Sequence, residues 1–271
     1  MIMKLAVVSD LHLDMNSGFA EADLLPLLIE ELKKCEADSI LIAGDICSDA
    51  HSSIKVIDKI RSAVRRNLLF IPGNHDIWVK DGGSSWDSYQ RLASHPACLA
   101  NRPYSLNENT VIIGDMGWFD YSFLADGVSF SKMEEARKDW GDNKYTEWGR
   151  MDDKAITEYM LAKLEEQLRK YDGQKVILTV HFVPYRAFLP KKSPYMDWDL
   201  YNAFMGSDAF GELLDAHESI EYVIFGHTHD RHGIRKYRNK TIVCSPLGYI
   251  SEKSPELFRK ELAESLIMLD L

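Results

Sequence analysis

The ten residues NLLFIPGNHD, positions 67–76, hold the first clue to how this chain folds. Leu68, Leu69, Phe70 and Ile71 make a short apolar run of the kind that fills a strand covered on both faces. Pro72 and Gly73 end it, and Asn74, His75 and Asp76 come immediately after. A loop that had only to turn would be served by Gly, Asn, Asp or Ser. An imidazole among them, at the carboxyl end of a strand, points to chemistry.

The same device recurs elsewhere in the chain. Lys4–Ser9 (KLAVVS) leads into Asp10 and His12, and Ser39–Ala43 (SILIA) leads into Gly44 and Asp45. Between these runs, Ala20–Lys34 spaces Leu24, Leu27, Leu28 and Leu32 as a helix would. Ile54, Ile57, Ile60 and Val64 mark a second helix. This β-α-β-α-β order predicts parallel strands with helices on the sheet faces. Further on, Val111–Ile113, Val176–Val180, Tyr222–Phe225, Ile242–Val243 and Leu266–Leu269 read as strands. Asp152–Tyr171 reads as a long helix. Two of these later strands run into His181 and into Gly226, His227, Thr228 and His229. No repeat, low-complexity tract or linker interrupts the chain, so one α/β domain over residues 1–271 is expected, with an aromatic-rich insertion at about 117–150.

Composition narrows the function. The chain has 271 residues, 45% hydrophobic, with a formal net charge of −10. That balance argues against a general binder of nucleic-acid backbone, which needs a positive footprint. No apolar run has the length of a membrane span. The apolar N-terminus turns polar at Ser9 without a cleavage site, so no leader is expected and a cytoplasmic location is. Cys35, Cys47, Cys98 and Cys244 lie far apart and read as reduced, mostly buried thiols.

Ligands of open α/β sheets sit beyond the carboxyl ends of the strands, so the loops above are expected to meet in one crevice. Asp10 with His12, and His227 with His229, would each project to one side of an extended chain. Apart from His75, the inventory is Asp10, His12, Asp45, Asn74, His181, His227 and His229. Four imidazoles, two carboxylates and an amide are too many for one ion and suit two ions that share an Asp. Nitrogen and oxygen donors without thiolate favour manganese, iron or zinc over a Cys-bound structural zinc. Two ions roughly 3.5–4 Å apart suit in-line displacement at phosphorus.

In these residues the chain resembles the calcineurin-like metallophosphoesterase superfamily. Its elements D-x-H, G-D, G-N-H-D/E, H and G-H-x-H stand here as Asp10 with His12, Gly44 with Asp45, Gly73–Asp76, His181, and Gly226–His229, all in order. The resemblance runs from the start of the chain to about residue 230. It implies a two-sheet β-sandwich flanked by helices, an α/β/β/α four-layer fold. It also implies one metal ion at Asp10, His12 and His229, a second at Asn74, His181 and His227, and Asp45 bridging them. A hydroxide between the ions would be the nucleophile. His75 would be catalytic, stabilising developing charge and protonating the leaving oxygen. The protein Ser/Thr phosphatases of the superfamily carry Asp-Arg where this chain has Ser48 and Asp49. That disfavours protein phosphatase activity and leaves His75 without the usual orienting carboxylate.

The expected reaction is hydrolysis of a small or soluble phosphoester, diester ahead of monoester, without stable nucleic-acid or membrane binding. Two alternatives stay open: a nuclease subunit that relies on a DNA-binding partner, and a metal-bearing binding module without turnover. His75 counts against the binding module, because holding metal needs no proton donor beside Asn74. Residues 117–150 hold eight aromatics, and a second aromatic stretch runs from Tyr185 to Phe204. Most of these rings are expected to pack a satellite core, with a substrate-stacking cap as the alternative. Arg150 and Arg186 are candidate phosphate clamps, and Asp120 and Tyr121 candidate edge residues of the site.

Overall fold

The computed structural model describes residues 3–80, 82–191, 193–250 and 254–271, so Met1 and Ile2 of the N-terminal apolar segment lie outside it. Among the described residues, ten strands form two sheets. They are β1 Lys4–Val8, β2 Ser39–Ala43, β3 Asn67–Ile71, β4 Tyr104–Asn107, β5 Thr110–Asp115, β6 Lys175–Val180, β7 Ile220–Phe225, β8 Gly233–Tyr237, β9 Lys240–Cys244 and β10 Ile267–Asp270. One sheet has the order β10-β1-β2-β3, the other β4-β5-β6-β7-β9-β8. β1–β3 are parallel, as are β5, β6, β7 and β9; β4, β8 and β10 run antiparallel at edges.

Alternation along each strand builds the layers. Leu5, Val7, Leu41, Ala43, Leu69 and Ile71 form one core with Ile112, Ile177, Ile224 and Val243, which lies between the sheets. The residues between them (Ala6, Val8, Ile40, Ile42, Phe70, Val111, Ile113, Leu178) join the cores under the helices. Burial on both faces is why these strands read as continuous apolar runs. Each fully buried Leu or Ile contributes about 1.5–3 kcal/mol, so a polar residue at any of them would disrupt the layer it faces. The parallel β1–β3 start is the one expected from the sequence, and the two-sheet sandwich flanked by helices is the fold that the resemblance implies. No helix is long and apolar enough to cross a membrane, among the described residues.

One helix expected from periodicity is divided. In place of a single helix over 20–34, the chain forms helices Leu13–Ala20 and Leu25–Lys34. Glu21 has φ 51°, a left-handed residue that closes the first helix onto Ser17 and Gly18. Pro26, which has no N–H to donate, sits in the first turn of the second. β8 and β9 form an antiparallel hairpin that turns at Arg238 and Asn239.

The sheets are laced together at their carboxyl ends. Leu247 N–H donates to Ser9 O at 2.9 Å, and Gly226 N–H donates to His181 O at 3.0 Å. The His181 Nδ1–H donates to Ala43 O at 2.9 Å, from β6 to β2. All five loops singled out by the sequence therefore meet at one end of the sandwich.

Candidate metal centre

The backbone brings the site together in a different way from that expected. Asp10, His12, Asp45, His227 and His229 all have positive φ, between 39° and 71°. Each pair therefore converges through left-handed turns, not because alternate residues of an extended chain face one way. Left-handed non-glycine residues cost about 1–3 kcal/mol each. Hydrogen bonds offset part of that: Asp10 N–H to Gly44 O at 3.0 Å, His12 N–H to Asp45 O at 2.9 Å, and His227 N–H to Asp10 Oδ1 at 2.9 Å.

Close backbone approach requires glycine at two of the loops. A Cβ on Gly73 would lie 2.1 Å from Asp45 Oδ1, and one on Gly226 would lie 2.4 Å from Asp10 Oδ2. Gly73→Ala is therefore expected to displace the Asp45 carboxylate and cost about 1–3 kcal/mol, as overpacking does. A thermal melt would show it as a loss of several degrees, at about 2–4 °C per kcal/mol.

All seven expected ligands come together, and they are buried apart from the rims of His227 and His229. Asp45 Oδ2 lies 3.6 Å from His12 Nε2 and 3.3 Å from His181 Nε2. On the first side, His229 Nε2 lies 3.5 Å from Asp10 Oδ1 and 2.9 Å from His12 Nε2. On the second, Asn74 Oδ1 is 3.0 Å from both His181 Nε2 and His227 Nδ1. Asp10, His12 and His229, and likewise Asp45, His181 and His227, form groups whose ligand atoms lie within 4.8 Å of one another. The donor set fits cations: ring nitrogens and oxygen lone pairs converge, and Asp10 Oδ2 is buried without a hydrogen-bond partner, which is costly unless a charge compensates it.

Electrostatics agree with that fit. Burial alone would push Asp45 up, but His181, His75 and His12 outweigh it and hold the carboxyl well below its ordinary range. Burial pushes His12 and His227 well below the ordinary imidazole value, so both are neutral at pH 7, the form that ligates metal. His181 is the exception: burial lowers it, yet Asp45 beside it holds its proton. Burial and Asp45 push Asp76 up to about 7. Asp76 does not face the cluster. It accepts from Ile46 N–H, Gly73 N–H and Ser53 Oγ at 2.9, 2.8 and 2.5 Å, and so staples the Asp45 loop to the Asn74 loop.

His75 lies at the edge of the cluster, its Nε2 4.0 Å from Asp45 Oδ2. Asp49 is not its partner, because that carboxylate caps the helix Ala50–Ala63 through Ser52. The ring is held instead by stacking on Trp78, with centroids 3.6 Å apart, and by the Tyr249 hydroxyl 3.3 Å from Nε2. Tyr249 also packs against His12 and His229, at centroid distances of 4.5 and 4.7 Å. Sequence reading missed this residue; its only local mark is Gly248 before it, with φ 76°.

A cleft of about 380 Å³ opens over the cluster. Its walls are Trp78, Trp140, Trp198, Met205 and Tyr249, and among the described residues no Lys or Arg lines it. Arg186 is not a clamp, because its guanidinium is paired with Asp208 through Nε at 2.9 and 3.0 Å. Arg150 does not line the cleft either. Nor do Asp120 and Tyr121, which bond Ser207 and Asp153. Four of the insertion's eight rings are buried core, Trp118, Phe119, Phe123 and Trp148; Tyr121 and Trp140 pack against that core, and Phe130 and Tyr145 are exposed. Among these eight rings, Trp140 lines the cleft. Cys47 is buried in the core, and all four cysteines are free.

Comparison with known proteins agrees with the geometry. The chain is 23% identical over 241 residues to a probable cyclic nucleotide phosphodiesterase of Vesicomyosocius okutanii, covering 88% of this chain and 83% of the relative. The crystal structure of phosphopantetheinyl hydrolase from Mycobacterium tuberculosis superposes with a TM-score of 0.76 at 17% identity, covering 99% of this chain and 96% of that one. A dimetal phosphatase from Danio rerio superposes with a TM-score of 0.51 at 13% identity, covering 94% and 90%. At these identities the two structures share the fold. The model of the calcineurin-like phosphoesterase family matches residues 3–231, most of the chain and every residue of the cluster, and the protein is a metal-dependent phosphoric ester hydrolase of that family.

Proposed function

We propose that this protein hydrolyses phosphodiesters with two metal ions that share Asp45. One observation carries the reading: a single carboxylate oxygen, Asp45 Oδ2, lies within 3.6 Å of ring nitrogens from both ligand groups. Asp10, His12 and His229 would hold one ion, and Asn74, His181 and His227 the other, with manganese, iron and zinc all suited to these donors. When bound, such a pair lowers the pKa of a coordinated water and neutralises charge on the phosphoryl oxygens.

The protein's own groups do the rest. Asp45 Oδ1 accepts the His75 N–H at 2.9 Å and so places the imidazole beside the shared oxygen. His75 Nε2 faces the cleft and delivers a proton to the leaving oxygen, with Tyr249 and Trp78 fixing the ring. Tyr249, Trp140 and Trp198 shield the reacting group from water.

The cleft favours the diester. A monoester is largely a dianion at neutral pH, since its second pKa is about 6. Its extra charge would find no Lys or Arg in these walls among the described residues. A diester carries one charge and a second organic group, which the indole and Met205 side chains accommodate. The relative named as a probable cyclic nucleotide phosphodiesterase supports the same direction. Chelator-stripped protein reloaded with manganese is expected to turn over bis-p-nitrophenyl phosphate faster than p-nitrophenyl phosphate; the reverse order would remove the diester preference.

His181 adds a pH dependence. Its folded pKa is raised, so it holds a proton at neutral pH, and an ion must displace that proton to bind Nε2. Manganese uptake is therefore expected to release about one proton per chain and to tighten as pH rises through the neutral range. Calorimetric titration in two buffers of different ionisation enthalpy measures it. Identical heats in both would show that no proton leaves.

A further inference from the structure

We infer that Asp142, in the aromatic insertion, is the positioning residue of the ligand Asn74, so that the insertion completes the second metal site as well as walling the cleft. The inference rests on the two-ion reading. An Asn side chain is a ligand at one end only: its oxygen can bind a cation and its NH₂ cannot. The two ends have nearly the same shape, so packing alone does not choose between them. A carboxylate does choose, because it has acceptors and no donors when ionised.

Asp142 makes that choice here. Its Oδ1 accepts from Asn74 Nδ2 at 2.7 Å, which leaves Asn74 Oδ1 facing His181 and His227. The carboxylate is itself fixed by two rigid donors. Trp78 Nε1–H donates to Oδ1 at 2.9 Å, and Trp140 Nε1–H donates to Oδ2 at 3.0 Å. Asp142 is 1% exposed and belongs to none of the groups with metal-ligand spacing. Three N–H groups already occupy it, so it orients a ligand and is not one.

The neighbours fit the same role. Gly141 lets the insertion come down onto Trp78, since a Cβ there would lie 3.2 Å from Trp78 Cζ2. Trp78 in turn stacks on His75, and Trp140 is a wall of the cleft. One buried carboxylate thus ties a metal ligand, the support of the proton donor and the substrate wall into one unit. Hydrogen-bonded partners of metal ligands are commonly worth 10–100-fold in metal affinity.

The test is titration of the full-length apo-protein with manganese alone, beside Asp142→Ala, Asp142→Asn and the double variant Asp142→Asn/Trp140→Phe. Wild type is expected to bind two ions; a single ion there would sink the two-ion reading before any variant is considered. Given two, Asp142→Ala is expected to weaken one ion about 10–100-fold and leave the other within about threefold. Asp142→Asn retains the acceptor for Asn74 but turns an NH₂ toward the Trp140 N–H, so it too is expected to weaken that ion. Trp140→Phe removes the opposed donor and is expected to restore the affinity of the Asn variant. Unchanged binding in Asp142→Ala would overturn the inference. So would equal weakening of both ions, with a lowered melting temperature that Trp140→Phe does not relieve, because that pattern belongs to a purely structural residue.

Discussion

Asp45→Asn is expected to reduce turnover of bis-p-nitrophenyl phosphate by about a thousandfold or more and to lower the affinity of both ions together. The substitution keeps the size of the side chain, and one amide oxygen can still accept the His75 N–H. It removes the negative charge at Oδ2, the atom that faces His12 on one side and His181 on the other. Two-ion catalysis stabilises the transition state by several kcal/mol, and a thousandfold corresponds to about 4 kcal/mol at 1.36 kcal/mol per factor of ten. Substitution of a ligand private to one group, such as His229, is expected to weaken mainly that ion. Metal content measured after gel filtration separates the two cases: Asp45→Asn loses both ions, His229→Ala one. An Asp45→Asn protein that keeps two ions and most of its activity would show that the carboxylate is not shared.

His75→Ala divides binding from chemistry. The imidazole is at the edge of the cluster and lines the cleft, its Nε2 4.0 Å from Asp45 Oδ2 and its ring edge-on to His12 with centroids 4.6 Å apart. The variant is expected to keep both ions. Its rate should fall about 10²–10⁴-fold with an alkyl leaving group, as loss of a general acid does. With p-nitrophenolate, which leaves without a proton, the loss should be much smaller. The alternative is visible in the structure, because His12, Asp45 and His75 also form a group within 4.8 Å. If His75→Ala loses an ion, and slows both kinds of ester equally, His75 is a ligand and the proton comes from elsewhere.

Legibility in the sequence tracks completeness of burial. β1, β2 and β3 are covered on both faces, so they appear as unbroken apolar runs, each giving way abruptly to Asp, Asn or His. Those changes, with the similar ones after β6 and β7, give all seven cluster residues. The edges were harder. β8 (GIRKY) is largely exposed and carries no apolar run to mark it as a strand, and β4 pairs only on one side. The left-handed backbone at five cluster residues leaves no trace in residue type beyond Asp and His, which tolerate it better than most.

Asp142 and Tyr249 were out of reach for a related reason. Both enter the site from segments whose approach depends on tertiary packing: Asp142 through the insertion that lies on Trp78, Tyr249 through the loop after β9 whose Gly248 N–H donates to Asp10 O. The converse error is Arg186. A guanidinium in an aromatic stretch looks available for phosphate until Asp208, 22 residues away, is seen to occupy it. Spacing shows which groups a strand end carries; it does not show which distant carboxylate has already paired with a cation.

The most direct test of the shared site is electron paramagnetic resonance of the protein reloaded with manganese, with metal per chain measured on the same sample. Two ions held by one carboxylate oxygen, roughly 3.5–4 Å apart, are expected to give an exchange-coupled spectrum at two ions per chain, and Asp45→Asn should abolish it. One ion per chain, or two with the six-line spectrum of isolated manganese, would contradict the shared Asp45 site on which the mechanism stands.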